Sequence, residues 1–141
     1  MTPTFNNPAT HGQVKLYALH ERKDDFALQI KDLTQFLPEK LLKTHVEDYA
    51  MHQLDELCHL GMFVAYPEEF VVALAFMIAA VKRLQVVSEK PIHCDRNDPY
   101  WVEYNALKRK VCCHISSEIG TDATFLAFWV HRMTQILKVH P

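Results

Sequence analysis

Glycine is scarce in this sequence, which has three in 141 residues, and each of them, Gly12, Gly61 and Gly120, is isolated from the others. β-Sandwiches and β-barrels need many turn residues, so a chain with so little glycine is a poor match for either. A phosphate-binding loop needs several clustered glycines, and none can be assembled here. We therefore expect neither an all-β fold nor a nucleotide-binding fold.

Recognisable enzyme and targeting motifs are also missing. The amino terminus has no basic segment followed by an apolar core, and neither HExxH nor GxSxG occurs. The four cysteines include adjacent Cys112 and Cys113, which cannot form a relaxed disulfide with each other on a helix. We expect reduced thiols, a cytoplasmic location, no cofactor and no enzymatic activity.

The most informative segment is Phe70–Val81 (FVVALAFMIAAV), an unbroken apolar run of 12 residues. A helix that is hydrophobic on all sides is either the centre of a bundle or a membrane span. A run of roughly 10 to 14 residues favours the buried helix. Pro67 and Glu68 suit the start of a helix, and Arg83 follows where the run ends. We predict a central core helix at about 67–87 and no membrane association.

Four further helices are predicted around this centre. One begins near Asp24 with an apolar stripe, one spans Pro38–Leu60 before Gly61, one runs from Pro99 to about Ile119, and the last is capped by Thr121. The inner face of the helix near Asp24 carries Phe26, Ile30, Leu33 and Leu37, and that of Pro38–Leu60 carries Val46, Ala50, Leu54, Leu57 and Cys58. The inner face of the helix from Pro99 carries Tyr100, Tyr104, Leu107, Val111 and Ile115. The inner face of the last helix carries Phe125, Leu126, Trp129, Val130, Met133, Ile136 and Leu137.

The predicted fold is therefore all-α, a single-domain bundle of five or six helices. Residues 1–12 read as a flexible arm, because they are rich in Thr, Asn and Pro, and residues 13–141 as one helical domain. The segment Val14–Leu19 favours a short helix. Ser88–Asp98 is the one long connection.

A row of histidines, His45, His52 and His59, recurs every seven residues on the second predicted helix. Asp48 precedes His52 by four residues, and Asp55 precedes His59 by four, which places carboxylate and imidazole side by side. The row lies opposite the apolar stripe of the helix, so a solvated face is the favoured interpretation. A metal-binding helical bundle that uses this face is an alternative function.

Cysteines and histidines also occur in three separated clusters. Their ligand types suit zinc, but their spacings are not those of structural zinc sites. Cys94 beside a histidine could also act as a nucleophile if the fold joined them. The candidate residues are Cys58, His59, His93, Cys94, Cys112, Cys113 and His114.

The segment 112–129 loosely matches a helix-turn-helix, with Gly120 in the turn and Lys108, Arg109 and Lys110 upstream as phosphate contacts. A DNA-binding transcriptional regulator is therefore a second alternative. The positions that would read bases hold an acid and no Arg, Lys, Asn or Gln, which favours an ordinary pair of bundle helices. These positions are Asp122, Ala123, Thr124, Ala127 and Phe128.

A surface patch gives the preferred function. On the last helix, Phe128 lies among His131, Arg132 and Gln135, and on the preceding helix Val102 and Ala106 also lie off the core face. An aromatic residue beside arginine is typical of binding hot spots. We predict a non-enzymatic protein-protein interaction module, meaning an adaptor, an inhibitor or a regulatory subunit, with a protein partner or a homodimer at this patch.

The two halves of the sequence carry opposite net charges, and we interpret this mainly as complementary halves that pack together. Residues 1–70 carry 11 acidic and 6 basic side chains, a net charge of −5, and residues 71–141 carry 6 and 9, a net charge of +3. Such a split is typical of complementary halves that pack together, and it also fits a basic surface for a partner.

Overall fold

The computed structural model describes residues 21–88 and 99–137, and within them the chain is all-α. The predicted arm 1–12, the Val14–Leu19 helix and most of the 88–98 connection lie outside the described residues. The helices are α1 (Lys23–Leu33), α2 (Lys43–His59), α3 (Met62–Ala65), α4 (Glu68–Ser88), α5 (Pro99–Ile119) and α6 (Ala123–Ile136), and two short 3-10 turns lie at Thr34–Phe36 and Glu39–Leu41. The predicted fold class is confirmed.

Helix α4 is the centre of the bundle, as the apolar run predicts. Every residue from Phe70 to Val81 is buried. Helix α2 is its main neighbour, and α1, α5 and α6 pack against it as well. By length and composition alone Glu68–Val87 could cross a membrane, but 72% of that apolar window is buried inside the protein. This burial is the arrangement expected of a core helix.

The apolar stripe of α1 is also confirmed, since Phe26, Ile30, Leu33 and Leu37 are all buried. The α-helix ends at Leu33, and the 3-10 turn at Thr34–Phe36 carries the chain on to Leu37. At the other end of α1, Arg22 pairs with Glu68 at the start of α4. This hydrogen bond with Glu68 raises the pKa of the Arg22 guanidinium.

The predicted helix Pro38–Leu60 is wrong at its start. A 3-10 turn at Glu39–Leu41 comes first, and the chain then bends at Leu42, whose φ is +54°, before α2 begins at Lys43. The turn buries Leu41 completely and lies beside α4. The end of the helix is as predicted, because Gly61 follows it in the left-handed conformation with φ +80°.

Helices α5 and α6 form a hairpin around Gly120, whose φ is +72°. The predicted cap Thr121 is wrong, because the side chain of Asp122 accepts the hydrogen bond from the Thr124 N–H, at 2.8 Å. An aspartate at this position also suits the positive end of the helix dipole, so it competes well with the neighbouring hydroxyl.

The inner face of α5 is confirmed at Tyr104, Leu107, Val111 and Ile115. Burial raises the pKa of the Tyr104 hydroxyl, and its hydrogen bond with Thr134 acts in the opposite direction. On α6, Leu126, Val130 and Met133 are buried as predicted.

The predicted burial of Phe125 and Ile136 on α6 is wrong, since they are 57% and 58% exposed. The Phe125 ring reaches only the edge of the core, where its centroid lies 6.1 Å from that of Phe70. The buried side of α6 is therefore narrower than its apolar sequence indicates, and the helix leaves large side chains in solvent.

Candidate partner-binding groove between α5 and α6

An open groove of about 520 Å³ lies between α5 and α6. The two helices run antiparallel because the connection at Gly120 to Asp122 is short. The α6 wall is low, since Ala123, Thr124 and Ala127 have small side chains. Residues from α5 form the other wall, and the complete lining is Asn105, Lys108, Arg109, Cys112, Cys113, Ala123, Thr124 and Ala127.

The groove is positively charged. Lys108 and Arg109 line it, and no carboxylate in the described part of the chain forms an ion pair with either residue. Burial lowers the pKa of the Lys108 amine. Its Nζ lies 5.1 Å from the centre of the Tyr104 ring, a cation-π contact that holds the lysine at the wall. The groove therefore offers two cations to a ligand.

The residues predicted to bind a partner are not among those that line the groove, and only helical spacing relates them to it. Phe128 is 65% exposed, next to Ala127 and one helical turn beyond Thr124. Arg132 and Gln135 are also exposed, and His131 is half-buried, one turn beyond Ala127. Helical spacing thus places Phe128 and His131 next to the α6 wall of the groove, and Arg132, five residues after Ala127, away from it.

Val102 and Ala106 are exposed on α5, and Ala106 lies three residues before Arg109. Helical spacing places this pair one turn and two turns from Arg109, on the same side of the helix. Neither residue is among those that line the groove, so their part in binding a partner stays a prediction.

Sequence reasoning missed the floor and the α6 wall of the groove. Asn105 was not considered, and Ala123 and Ala127 were considered only as positions that would read DNA bases. The available signal was the pair of small residues Ala123 and Ala127, four apart at the start of a helix that is otherwise lined with large side chains.

Cys112 also lines the groove, and burial raises the pKa of its thiol to about 12, so the thiol stays protonated at neutral pH.

The three cations proposed to contact phosphate do not share one surface. Lys108 and Arg109 line the groove, whereas Lys110 is exposed and lies outside its lining. The helix before the glycine turn is 21 residues long, and α6 packs against it along the hairpin. These features are those of two bundle helices, and only two of the three cations are placed to act together.

The histidine row lies on the exposed side of α2, as predicted. His52 Nε2 is 3.2 Å from Glu56 rather than paired with Asp48, and His59 Nδ1 is 3.9 Å from the Asp55 carboxylate. Among the residues with described side chains, no group of three metal-ligand atoms converges along this row. The row forms separate pairs within one helix.

The cysteine and histidine clusters are dispersed in the described structure. Cys58 and Cys112 are buried on α2 and α5, and Cys113 is exposed. His93 and Cys94, and with them the proposed nucleophile, lie outside the described residues. His114 does meet possible ligands, but these are the carboxylates of Asp32 and Glu118 rather than thiols. Asp32 is 82 residues away in sequence, so no local spacing could indicate the contact.

No protein-family model matches the sequence, and neither a curated protein nor a solved structure matches the chain.

Proposed function

We propose that this protein is a non-enzymatic protein-protein interaction module, an adaptor, an inhibitor or a regulatory subunit, which binds an acidic amphipathic segment of a partner in the α5–α6 groove. The observation that supports this most is the combination of two cations without a described carboxylate partner, Lys108 and Arg109, with a cavity of about 520 Å³.

Charge complementarity selects an acidic partner. A carboxylate that enters the groove meets Arg109, whose planar guanidinium can form two parallel hydrogen bonds to it. Burial already disfavours the charged form of Lys108, so a partner carboxylate there improves the environment of the amine. A basic segment would gain neither contact and would be repelled.

The apolar part of the partner is matched by exposed apolar side chains on α5 and α6. Phe128, Val102 and Ala106 are exposed. An exposed aromatic beside a charged rim is the usual composition of an energetically dominant contact. An amphipathic helix laid in a groove presents apolar and acidic side chains one turn apart, which suits both sets of residues.

The test uses defined peptides together with site-specific crosslinking. Fluorescence anisotropy should show that labelled amphipathic helical peptides with glutamate on the polar face bind, and that versions with lysine there do not. A photoreactive phenylalanine at Phe128 should crosslink to the acidic peptide, and the same group at Leu28, which is exposed to the same extent on α1, should not. Equal binding of both peptide sets, or equal crosslinking at both positions, would reject the groove as the binding site.

Charge reversal sharpens the test. Lys108→Glu with Arg109→Glu should abolish binding of the acidic peptides, whereas Lys110→Glu, outside the groove, should weaken it only slightly. Sedimentation of the parent and of Phe128→Glu reports whether the occupant is a second copy of the chain, because a homodimer at this face would dissociate with that substitution.

Duplex DNA is the second candidate ligand, because the same two cations can contact phosphates. Phosphate contacts release counterions, so DNA binding would fall steeply as salt rises. We expect no sequence-specific duplex binding at physiological salt. A specific complex that survives this salt and is lost with Lys108→Ala and Arg109→Ala would replace the protein partner as the proposed ligand.

A further inference from the structure

A second group of functional side chains lies away from the groove, where α1, α4 and α5 meet. His114 Nε2 is 2.7 Å from Asp32 Oδ2 and 3.1 Å from Glu118 Oε1. One ligand atom from each of these residues lies within 4.8 Å of the other two. His114 and Glu118 are four residues apart on α5, so they share a face, and Asp32 reaches them from α1.

These three side chains surround an open space. A cavity of about 50 Å³ is lined by Gln29, Asp32, Leu33, Glu69, Val72, His114, Ile115 and Glu118. One water needs on the order of 10 to 15 Å³ of such volume, so the cavity has room for an ion and a water ligand. Glu69 of α4 is the third carboxylate on its wall.

The carboxylates of the site need a compensating positive charge. Asp32, Glu69 and Glu118 carry three negative charges when ionised, and no lysine or arginine within residues 21–88 and 99–137 forms an ion pair with any of them. Two occupants can compensate this charge. One is a proton on His114, and the other is a metal ion bound to the unprotonated imidazole.

We infer that the site binds a divalent transition-metal ion, with His114, Asp32 and Glu118 as ligands and Glu69 as an outer carboxylate. An imidazole with carboxylates is a ligand set suited to Zn²⁺, Mn²⁺ or Fe²⁺. Ligand atoms around tetrahedral zinc lie about 3.3 Å apart, given bonds of about 2.0 to 2.1 Å. The present 2.7 and 3.1 Å separations need to open by about 0.6 and 0.2 Å to reach that spacing.

Packing already orients the imidazole for this role. The Phe36 ring stacks edge-on against His114, with 5.3 Å between the ring centroids, and the side chain of Asp32 is braced by a 3.1 Å hydrogen bond from Gln35 to its other oxygen. Both contacts come from the segment that follows α1 and leave the ligand atoms facing the cavity. A site in which ligands are held before the ion arrives loses less entropy on binding.

The experiment is calorimetric titration of chelator-stripped protein with ZnCl₂ and, separately, with MnCl₂. We expect one equivalent of at least one ion to bind. Asp32→Asn and His114→Gln should each weaken binding about 100-fold or more, since each removes a ligand, and Glu69→Gln should weaken it by about tenfold, the lower end for an outer group. The matched control is His52→Gln with His59→Gln, which removes two surface imidazoles and should leave the affinity unchanged.

Cobalt gives a readout that a proton cannot imitate. Co²⁺ bound to the site should produce visible absorption bands that disappear on addition of Zn²⁺ and are absent in Asp32→Asn. Zn²⁺ should also raise the melting temperature of the parent and not that of Asp32→Asn, whose exposed side chain makes loss of folding a minor risk. Absence of stoichiometric binding, or binding retained in the double variant Asp32→Asn with His114→Gln, would overturn the inference and leave protonated His114 as the compensating cation.

Discussion

Helices α4 and α6 are both rich in large apolar residues, but they differ in how much of this apolar surface is buried. Every residue of Phe70–Val81 in α4 is buried, whereas α6 leaves Phe125, Phe128 and Ile136 between 57% and 65% exposed. The difference lies in the neighbours, because α4 is surrounded by α1, α2, α5 and α6, whereas within the described residues α6 packs mainly against α4 and α5. Apolar surface in excess of the available neighbours is surface that a partner can cover.

The largest effect should come from a charge placed in α4. Ala75→Asp buries a carboxylate without a partner and should destabilise the protein by about 4 kcal/mol or more, enough to prevent folding. Ala106→Asp, an identical change at an exposed position of α5, should lower the free energy of unfolding by less than about 1 kcal/mol, mainly through helix propensity. Circular dichroism shows whether the Ala75 variant folds, and denaturant titration measures the stability of the Ala106 variant. Similar melting of the Ala75 variant and the parent would mean that α4 is not the core.

High pH should destabilise the protein through the buried thiol of Cys112 and the buried phenol of Tyr104 on α5. Burial raises the pKa of Cys112 from 9.0 to about 12 and also raises the pKa of Tyr104. A raised native pKa contributes stability that is complete below the unfolded value and is lost as pH rises through the native value. The parent should therefore lose a few kcal/mol between pH 9 and about 12.

Cys112→Ala isolates the contribution of the thiol. This variant should start from a lower stability at pH 8, because it loses packing, but its free energy of unfolding should decline less between pH 9 and about 12. Parallel declines in parent and variant would show that the thiol is accessible to solvent in the native state.

The exposed aromatic of α6 should matter for binding and not for folding. Phe128→Glu should leave the circular dichroism unchanged and shift the free energy of unfolding by no more than about 0.5 kcal/mol. It should weaken binding of an acidic amphipathic peptide by about 30-fold, the effect of losing one hot-spot residue. Leu28→Glu on α1, at a position with almost the same exposure, should change neither quantity. If both substitutions weaken binding equally, exposure alone does not define the binding face.

The smallest effect is expected on the histidine row of α2. Its pairs, His52 with Glu56 and His59 with Asp55, are exposed and lie within one helix. Exposed ion pairs contribute at most about 1 kcal/mol, so His52→Gln with His59→Gln should change the melting temperature by only a few degrees. A larger loss that chelator reproduces in the parent would show that the row itself holds a metal ion.

Sequence patterns predicted the parts of the fold that depend on residues close together in sequence. The apolar run located α4, the spacing of Phe26, Ile30 and Leu33 located the core side of α1, and Gly61 and Gly120 marked the ends of α2 and α5. Each of these signals acts within a few turns of one helix, so one sequence is sufficient to read it.

The errors have a different origin. The bend at Leu42 arises because Leu41 is buried beside α4, and the exposure of Phe125 arises because no described helix covers that side of α6. The groove between α5 and α6 and the contact of Asp32 with His114 join residues from separate helices. Such features depend on which helices meet, which periodicity within a single helix does not encode.

The placement of the two tryptophans gives the groove its own optical reporter. Trp101 is buried on α5 against Tyr104, and Trp129 is partly buried on α6 between Tyr66 and Phe70, so each wall helix carries one indole. The sequence contains no other tryptophan. Tryptophan fluorescence, excited selectively over tyrosine, therefore arises from these two helices, and Trp101→Phe and Trp129→Phe assign an emission change on ligand binding to one wall or the other.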